Sequence, residues 1–218
     1  MVIDHVAGIW LQMPLGGSNV RFMTRLSMPL FCVLMGYFLR PERRWKRRRV
    51  VEIFAAAVAV NLLFYPYAGT IEILGSLLLA YGVFAVSGRH FGWFVLAMLF
   101  YPVDGLRAWF DFPPSLTVSF VAQGFLLRKA GPVPAIASGV LLSLAGLWIA
   151  ALEPRGVNQL LCLFILPATL LVLVGEKKPQ WQVPGLELAG RYPLTVYVLQ
   201  YYVILGVYSI LGVYWVGK

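Results

Sequence analysis

An all-helical, polytopic integral membrane bundle is the fold class this sequence predicts, and three observations predict it. Of 218 residues, 60% are hydrophobic and 12% charged, with a mean hydropathy of +0.79, against roughly 25% charged in an ordinary soluble domain. The apolar residues fall into nine stretches, several of them near the roughly 20 residues that carry a helix across a bilayer, separated by Pro- and Gly-rich breaks. The basic residues gather on one side of the alternation that nine crossings impose. With short loops throughout, residues 1–218 are expected to form a single transmembrane domain.

In chain order the expected spans are Met1 to Met13, Phe22 to Leu39, Val50 to Tyr65, Ile71 to Ser87, Phe91 to Val103, Phe112 to Leu127, Val133 to Leu152, Val157 to Val174, and Tyr192 to Tyr214. The first and fifth hold only 13 residues, about 20 Å of α-helix. The first is expected to be truncated, because a core of roughly 30 Å would leave its inner third uncovered.

Seven basic residues crowd residues 40–49: Arg40, Arg43, Arg44, Lys46, Arg47, Arg48 and Arg49. If that loop is cytoplasmic, strict alternation also places Arg89, Arg128, Lys129, Lys177, Lys178 and Arg191 inside. That makes 13 of the 18 basic residues, against 5 on the other side. The expected topology is therefore a protein of the cytoplasmic (inner) membrane, with its N-terminus cytoplasmic and its C-terminus on the opposite side. Surrounding lipids are the partners this implies. Nucleic acid is not one, since the positive charge sits in a loop with no folded platform behind it.

Metal and disulfide chemistry find no support. Cys32 and Cys162 both lie inside apolar stretches, and the two histidines, His5 and His90, are far apart.

The chemistry-bearing stretch is the first. Asp4 and His5 are titratable groups where lipid is expected, and ionisable residues inside a membrane point by default to function. Arg21 and Arg25, four apart, share one face of the second span. A short connection from Pro14 to Val20 makes the first two helices antiparallel neighbours, with His5 and Arg25 at similar depth. A neutral histidine can take a proton from an attacking hydroxyl or amine, and an arginine can hold the charge that develops on an acyl oxygen. The alternatives are a hydrogen-bonded structural histidine and arginines that snorkel to the interface. Glu72, near the outer end of the fourth span, is a candidate partner for Arg21 or Arg25 on the substrate side. Gln123 and the other intramembrane amides are expected to bridge helices. Tyr197 and Tyr201 are expected to pack or anchor the last helix, and Asp104, Arg107 and Asp111 to form a surface salt-bridge set.

The opening Met1-Val2-Ile3-Asp4-His5-Val6, followed by Arg25-Leu26-Ser27-Met28-Pro29-Leu30-Phe31 and Gly36-Tyr37, resembles the start of TraX-type proteins. More distantly it is similar to the wider superfamily of transmembrane acyltransferases. Gly190-Arg191-Tyr192-Pro193-Leu194-Thr195-Val196-Tyr197-Val198-Leu199-Gln200 resembles the last helix of such enzymes. The sequence departs from the pattern at Thr24, Met28, Glu72 and Gln200, the last standing in place of a late histidine. The resemblance implies transfer of an acetyl or other acyl group from acetyl-CoA or another acyl-CoA. The acceptor would be a sugar hydroxyl, a lipid-linked saccharide or a protein amino terminus, with His5 as base and Arg25 as its partner; Asp4, a further catalytic candidate, points about 100° away from His5 and is expected to pair with a basic group on another helix. Arg47, Arg48 and Arg49 could then hold the coenzyme A phosphates, although topology and anionic lipid explain the same charges without a ligand. The other expectation left open is a non-enzymatic protein, either a subunit of a larger membrane complex or a small proton-coupled transporter.

Overall fold

The computed structural model describes residues 25–43, 47–152, 161–177 and 193–210. Among them the chain is helical, apart from connections and one isolated bridge between Ile71 and Phe110. The α-helices are α1 (Ser27–Phe38), α2 (Arg47–Ala68), α3 (Ile73–Ser87), α4 (Pro114–Ala130), α5 (Pro132–Leu152), α6 (Ile165–Lys177) and α7 (Pro193–Ile210). A long 3-10 helix, Gly88–Val103, stands between α3 and α4. A helix thus occurs within each expected span from the second onward, whereas Met1 to Met13 lies outside the described residues.

Among the described residues, two stretches are long and apolar enough to cross a membrane, Arg48–Pro66 with 19 residues and Ile73–Val103 with 31. The second is folded back on itself. Gly88 has a φ of 54°, which only glycine adopts without strain, and the rings of Phe84 and Phe91 meet at 5.5 Å across the turn. The 3-10 winding also bears on the shortness expected of the fifth span. At about 2.0 Å rise per residue, the 16 residues of Gly88–Val103 reach as far as a bilayer core is thick.

The bundle is organised around α4, whose residues from Leu116 to Phe125 are all buried. A helix that is apolar all round must be covered on every side, and α4 packs against α1, α3, α5, α6 and the 3-10 helix. Its closest approach is to α1. A Cβ added at Gly36 would overlap the carbonyl of Val121, and one added at Gly124 would overlap the carbonyl of Val33. The two backbones therefore touch, as small residues permit in membrane bundles. Toward α5 and α6 the joint is polar. Buried Gln123 donates from Nε2 to the Ala135 carbonyl (2.6 Å) and to Thr169 Oγ1 (3.1 Å), and its Oε1 accepts from Ser138 Oγ (2.8 Å). This is the helix-bridging role expected of an intramembrane amide.

The helices define two ends. At one, Lys129 Nζ donates to the Arg89 carbonyl (2.5 Å), Arg128 Nη1 to the Tyr37 carbonyl (3.3 Å), and the Tyr37 hydroxyl to Glu176 (2.8 Å). Arg40 follows directly on α1 here, so this is the basic end. At the other, Arg25 precedes α1 and Glu72 precedes α3.

The last helix corrects an expectation. Alternation starts it at the basic end, but Tyr197, one turn into α7, hydrogen-bonds Glu72 at the far end. Tyr201 then meets the ring of Phe64 at 5.9 Å, and Tyr202 donates to the Ala59 carbonyl (3.0 Å). These contacts walk down α2, so α7 runs antiparallel to it, toward the basic end. Hydropathy alternation fails between Lys177 and Pro193, which stand at opposite ends, because apolar lengths carry no direction of their own.

Candidate functional site

The site is built on the connection between α2 and α3 and the segment that pairs with it. Gly69, with φ 69°, closes α2. The chain then lies beside residues 109–111: the Ile71 amide donates to the Trp109 carbonyl (2.7 Å), and the Asp111 amide to the Ile71 carbonyl (2.9 Å). Between these bonds and the start of α3 stands Glu72, 1% exposed. Its extended backbone makes it the N-cap of α3, and its Oε2 accepts from the Leu74 amide at 2.9 Å, which satisfies one of the orphan donors at the helix start. Its own amide donates to Asn61 Oδ1 (2.9 Å), while Asn61 Nδ2 donates to the Ala57 carbonyl (2.8 Å).

The other carboxyl oxygen, Oε1, faces α7. The Tyr197 hydroxyl donates to it in a short hydrogen bond, and the Tyr201 hydroxyl donates at 3.3 Å. The two phenols are 3.5 Å apart, and their spacing of four residues puts both on one face of α7. A carboxyl group withdrawn from water is costly unless its oxygens are hydrogen-bonded, and here both oxygens are.

Phe112 joins this cluster to Arg25. Its carbonyl accepts from buried Ser76 Oγ (2.6 Å), and its ring carries the Arg25 guanidinium 5.5 Å above its centroid, a cation–π arrangement. Arg25, on the Phe112 ring, and Glu72, one turn before the Ser76 that binds the Phe112 carbonyl, are thus brought to one end of the bundle. They are not each other's partners, since Glu72 is bound by two phenols and a backbone amide. Asp4, His5 and Arg21 lie outside the described residues.

Tyr197 and Tyr201 were expected as anchors, and their hydroxyls are the contribution that sequence reasoning missed. A signal was present: two tyrosines four apart on an apolar helix carry two hydroxyls that need partners when buried, and Glu72, expected to face Arg21 or Arg25, was an acceptor for them.

The proposed coenzyme-binding arginines stand elsewhere. Arg48 and Arg49, at the start of α2, pair with Glu52 at 2.9 and 3.5 Å on the exposed side of the helix, and the Arg47 side chain is outside the described set. Of the expected Asp104–Arg107–Asp111 salt-bridge set, the Arg107 side chain lies outside the described residues, and Asp104 is engaged in capping. Its Oδ1 accepts from the Leu106 amide (3.0 Å) and its Oδ2 from the Ser115 amide (3.1 Å), because two uncapped helix starts flank it. Among the described residues, no group of three or more His, Cys, Asp or Glu is placed to hold a metal ion.

Compared with protein families, with curated proteins and with solved structures, the chain matches none.

Proposed function

We propose that this chain is a polytopic protein of the cytoplasmic membrane, with about nine spans, that transfers an acyl group from an acyl-CoA to a saccharide or a protein amino terminus. Its membrane embedding is supported by the faces of α2. Ile53, Ala56, Ala57, Val60 and Phe64 are buried at helical spacing, while Val51, Phe54, Val58 and Leu62 on the other side are exposed and equally apolar. An outward face of that kind is favourable against lipid, as it would also be against a protein partner.

The observation that carries the enzymatic reading is that Arg25, over the Phe112 ring, and buried Glu72 stand at the same end of the bundle. In this reading His5 takes the proton of the acceptor hydroxyl or amine as it attacks the thioester carbonyl. Arg25 holds the negative charge that forms on the carbonyl oxygen, and coenzyme A leaves as the thiol. Asp4, pointing about 100° away from His5, pairs with a basic group on another helix, and Arg21 and Glu72 border the acceptor.

A second, non-enzymatic reading, a membrane-complex subunit or a small proton-coupled transporter, draws on two observations. Every described polar contact of Glu72 is internal to the bundle. Arg48 and Arg49, which would grip coenzyme A, are already paired with Glu52, at the far end of α2 from Arg25.

Labelled acetyl-CoA separates the readings. Purified protein, offered saccharide and peptide acceptors, transfers label in the wild type, at least a hundredfold more slowly with His5→Ala, and more slowly with Arg25→Gln. Intact thioester with wild type across all acceptors would leave the non-enzymatic reading standing.

A further inference from the structure

At the basic end stand three cations from two separate elements, Lys129 reaching the Arg89 backbone and Arg128 turned toward Tyr37. Gly88 turns the chain so that Arg89 opens the 3-10 helix, and Arg128 and Lys129 close α4. Each is held in place by uncharged groups. Lys129 Nζ donates to the Arg89 carbonyl (2.5 Å) and lies 5.9 Å from the Phe125 ring centroid. The Arg128 guanidinium donates to the Tyr37 carbonyl (3.3 Å) and lies 5.6 Å from the Tyr37 ring centroid. Arg89 donates through Nε to His90 Nε2 (3.3 Å), which makes that nitrogen of His90 an acceptor. Among the described residues none of the three forms an ion pair with a carboxylate; the ion pairs recorded at this end join Arg48 and Arg49 to Glu52. Among the described residues these three exposed charges are oriented by the fold without a direct ion pair, although Glu176, held by the Tyr37 hydroxyl, stands on the Arg128 side.

An apolar face begins at the same place. A 3-10 helix has three residues per turn, so His90, Trp93, Leu96 and Leu99 share one side of Gly88–Val103. Trp93 is 74% exposed, Leu96 45% and Leu99 46%. A cationic head continuing into an exposed aromatic and aliphatic stripe has the chemistry of a lipid outline rather than of a soluble phosphate compound. Anionic headgroups are attracted to such basic clusters at membrane interfaces, and tryptophan favours the headgroup level.

We propose that Arg89, Arg128 and Lys129 bind the phosphate headgroup of an anionic phospholipid whose acyl chain lies along Trp93, Leu96 and Leu99. The site rests on the membrane-embedded reading of the chain and is independent of acyl transfer.

The test uses the full chain purified in detergent and titrated with phosphatidylglycerol or phosphatidylcholine, with bound lipid counted by native mass spectrometry. Wild type binds phosphatidylglycerol in preference. Arg89→Gln/Arg128→Gln/Lys129→Gln weakens it by about fivefold per charge removed, about a hundredfold in all, whereas Arg40→Gln/Arg48→Gln/Arg49→Gln, the same charge change at the same end and partly offset by Glu52, weakens it at least about tenfold less. Arg89→Lys/Arg128→Lys keeps the preference, which separates loss of charge from loss of fold, and Trp93→Ala weakens both lipids. Equal losses in the two triple variants, or no lipid preference in wild type, overturns the site. Displacement of phosphatidylglycerol by excess coenzyme A assigns the cations to a soluble phosphate instead and overturns the lipid. A chain that stays soluble and monodisperse without detergent removes the membrane reading beneath it, a result distinct from failure of the site alone.

Discussion

Alanine at Gly124 should push α1 and α4 apart. The added methyl would overlap the Val33 carbonyl, and the next nearest atoms are also backbone, at Val33 and Tyr37. No side-chain rotamer can relieve such a clash, so one helix must move. Overpacking costs roughly 1–3 kcal/mol, and a backbone obstacle puts this site at the upper end. Against that, alanine gains about 0.8–1.0 kcal/mol over glycine in helix propensity, leaving a net destabilisation of about 2 kcal/mol. Gly82 in α3 supplies the control, because a Cβ there meets nothing within 4 Å and Gly82→Ala should stabilise by roughly 0.5–1 kcal/mol. The same chemical change is thus predicted to act with opposite signs at two helical positions. Reversible unfolding in mixed micelles, followed by far-ultraviolet circular dichroism, measures both. Gly124→Ala as stabilising as Gly82→Ala would refute the direct backbone contact. Gly36→Ala meets the reciprocal obstacle at Val121, so its effect and that of Gly124→Ala should combine non-additively.

Tyr197→Phe removes the shorter hydrogen bond to a buried carboxyl and should destabilise by about 1–3 kcal/mol; Tyr201→Phe, losing a 3.3 Å bond, should cost less, and equal losses in a denaturation series would contradict that ranking. Gln123→Leu removes the amide's bonds to the Ala135 carbonyl, Thr169 and Ser138 and should cost about 0.6–1.7 kcal/mol, the mean and maximum found for polar contacts between membrane helices, read as a lowered Tm. Asp104→Ala uncaps the amides of Leu106 and Ser115 and should cost about 1–2 kcal/mol, with faster amide exchange at those two residues as its local signature.

Much of the local fold was legible because it depends on neighbours in the chain. Pro113 and Pro114 start α4, Gly131 ends it with φ 88°, and Pro132 begins α5, where proline fits a first turn and glycine a left-handed cap. The gathering of Arg89, Arg128 and Lys129 at one end also follows from counting apolar lengths and charges, since each intervening helix reverses direction. Gln123 was readable as a bridge because a buried amide has little else to do.

What escaped sequence reading depends on residues brought together from far along the chain. The direction of α7 is set by Tyr197 and Tyr201 reaching Glu72, more than 120 residues away, and no hydropathy window contains that bond. The expected pairing of Glu72 with an arginine rested on charge alone, whereas packing offered two phenols first. Asp104 looked like an ion-pair member because its basic neighbour was visible in sequence, while the Ser115 amide it caps was not. Composition and periodicity determined that this chain would be helical, apolar on its outward faces and basic at one end. Which helices touch through bare backbone, which way the last one runs and what surrounds the buried carboxyl were decided only by tertiary packing, because hydrophobic burial is non-directional and hydrogen bonds are not.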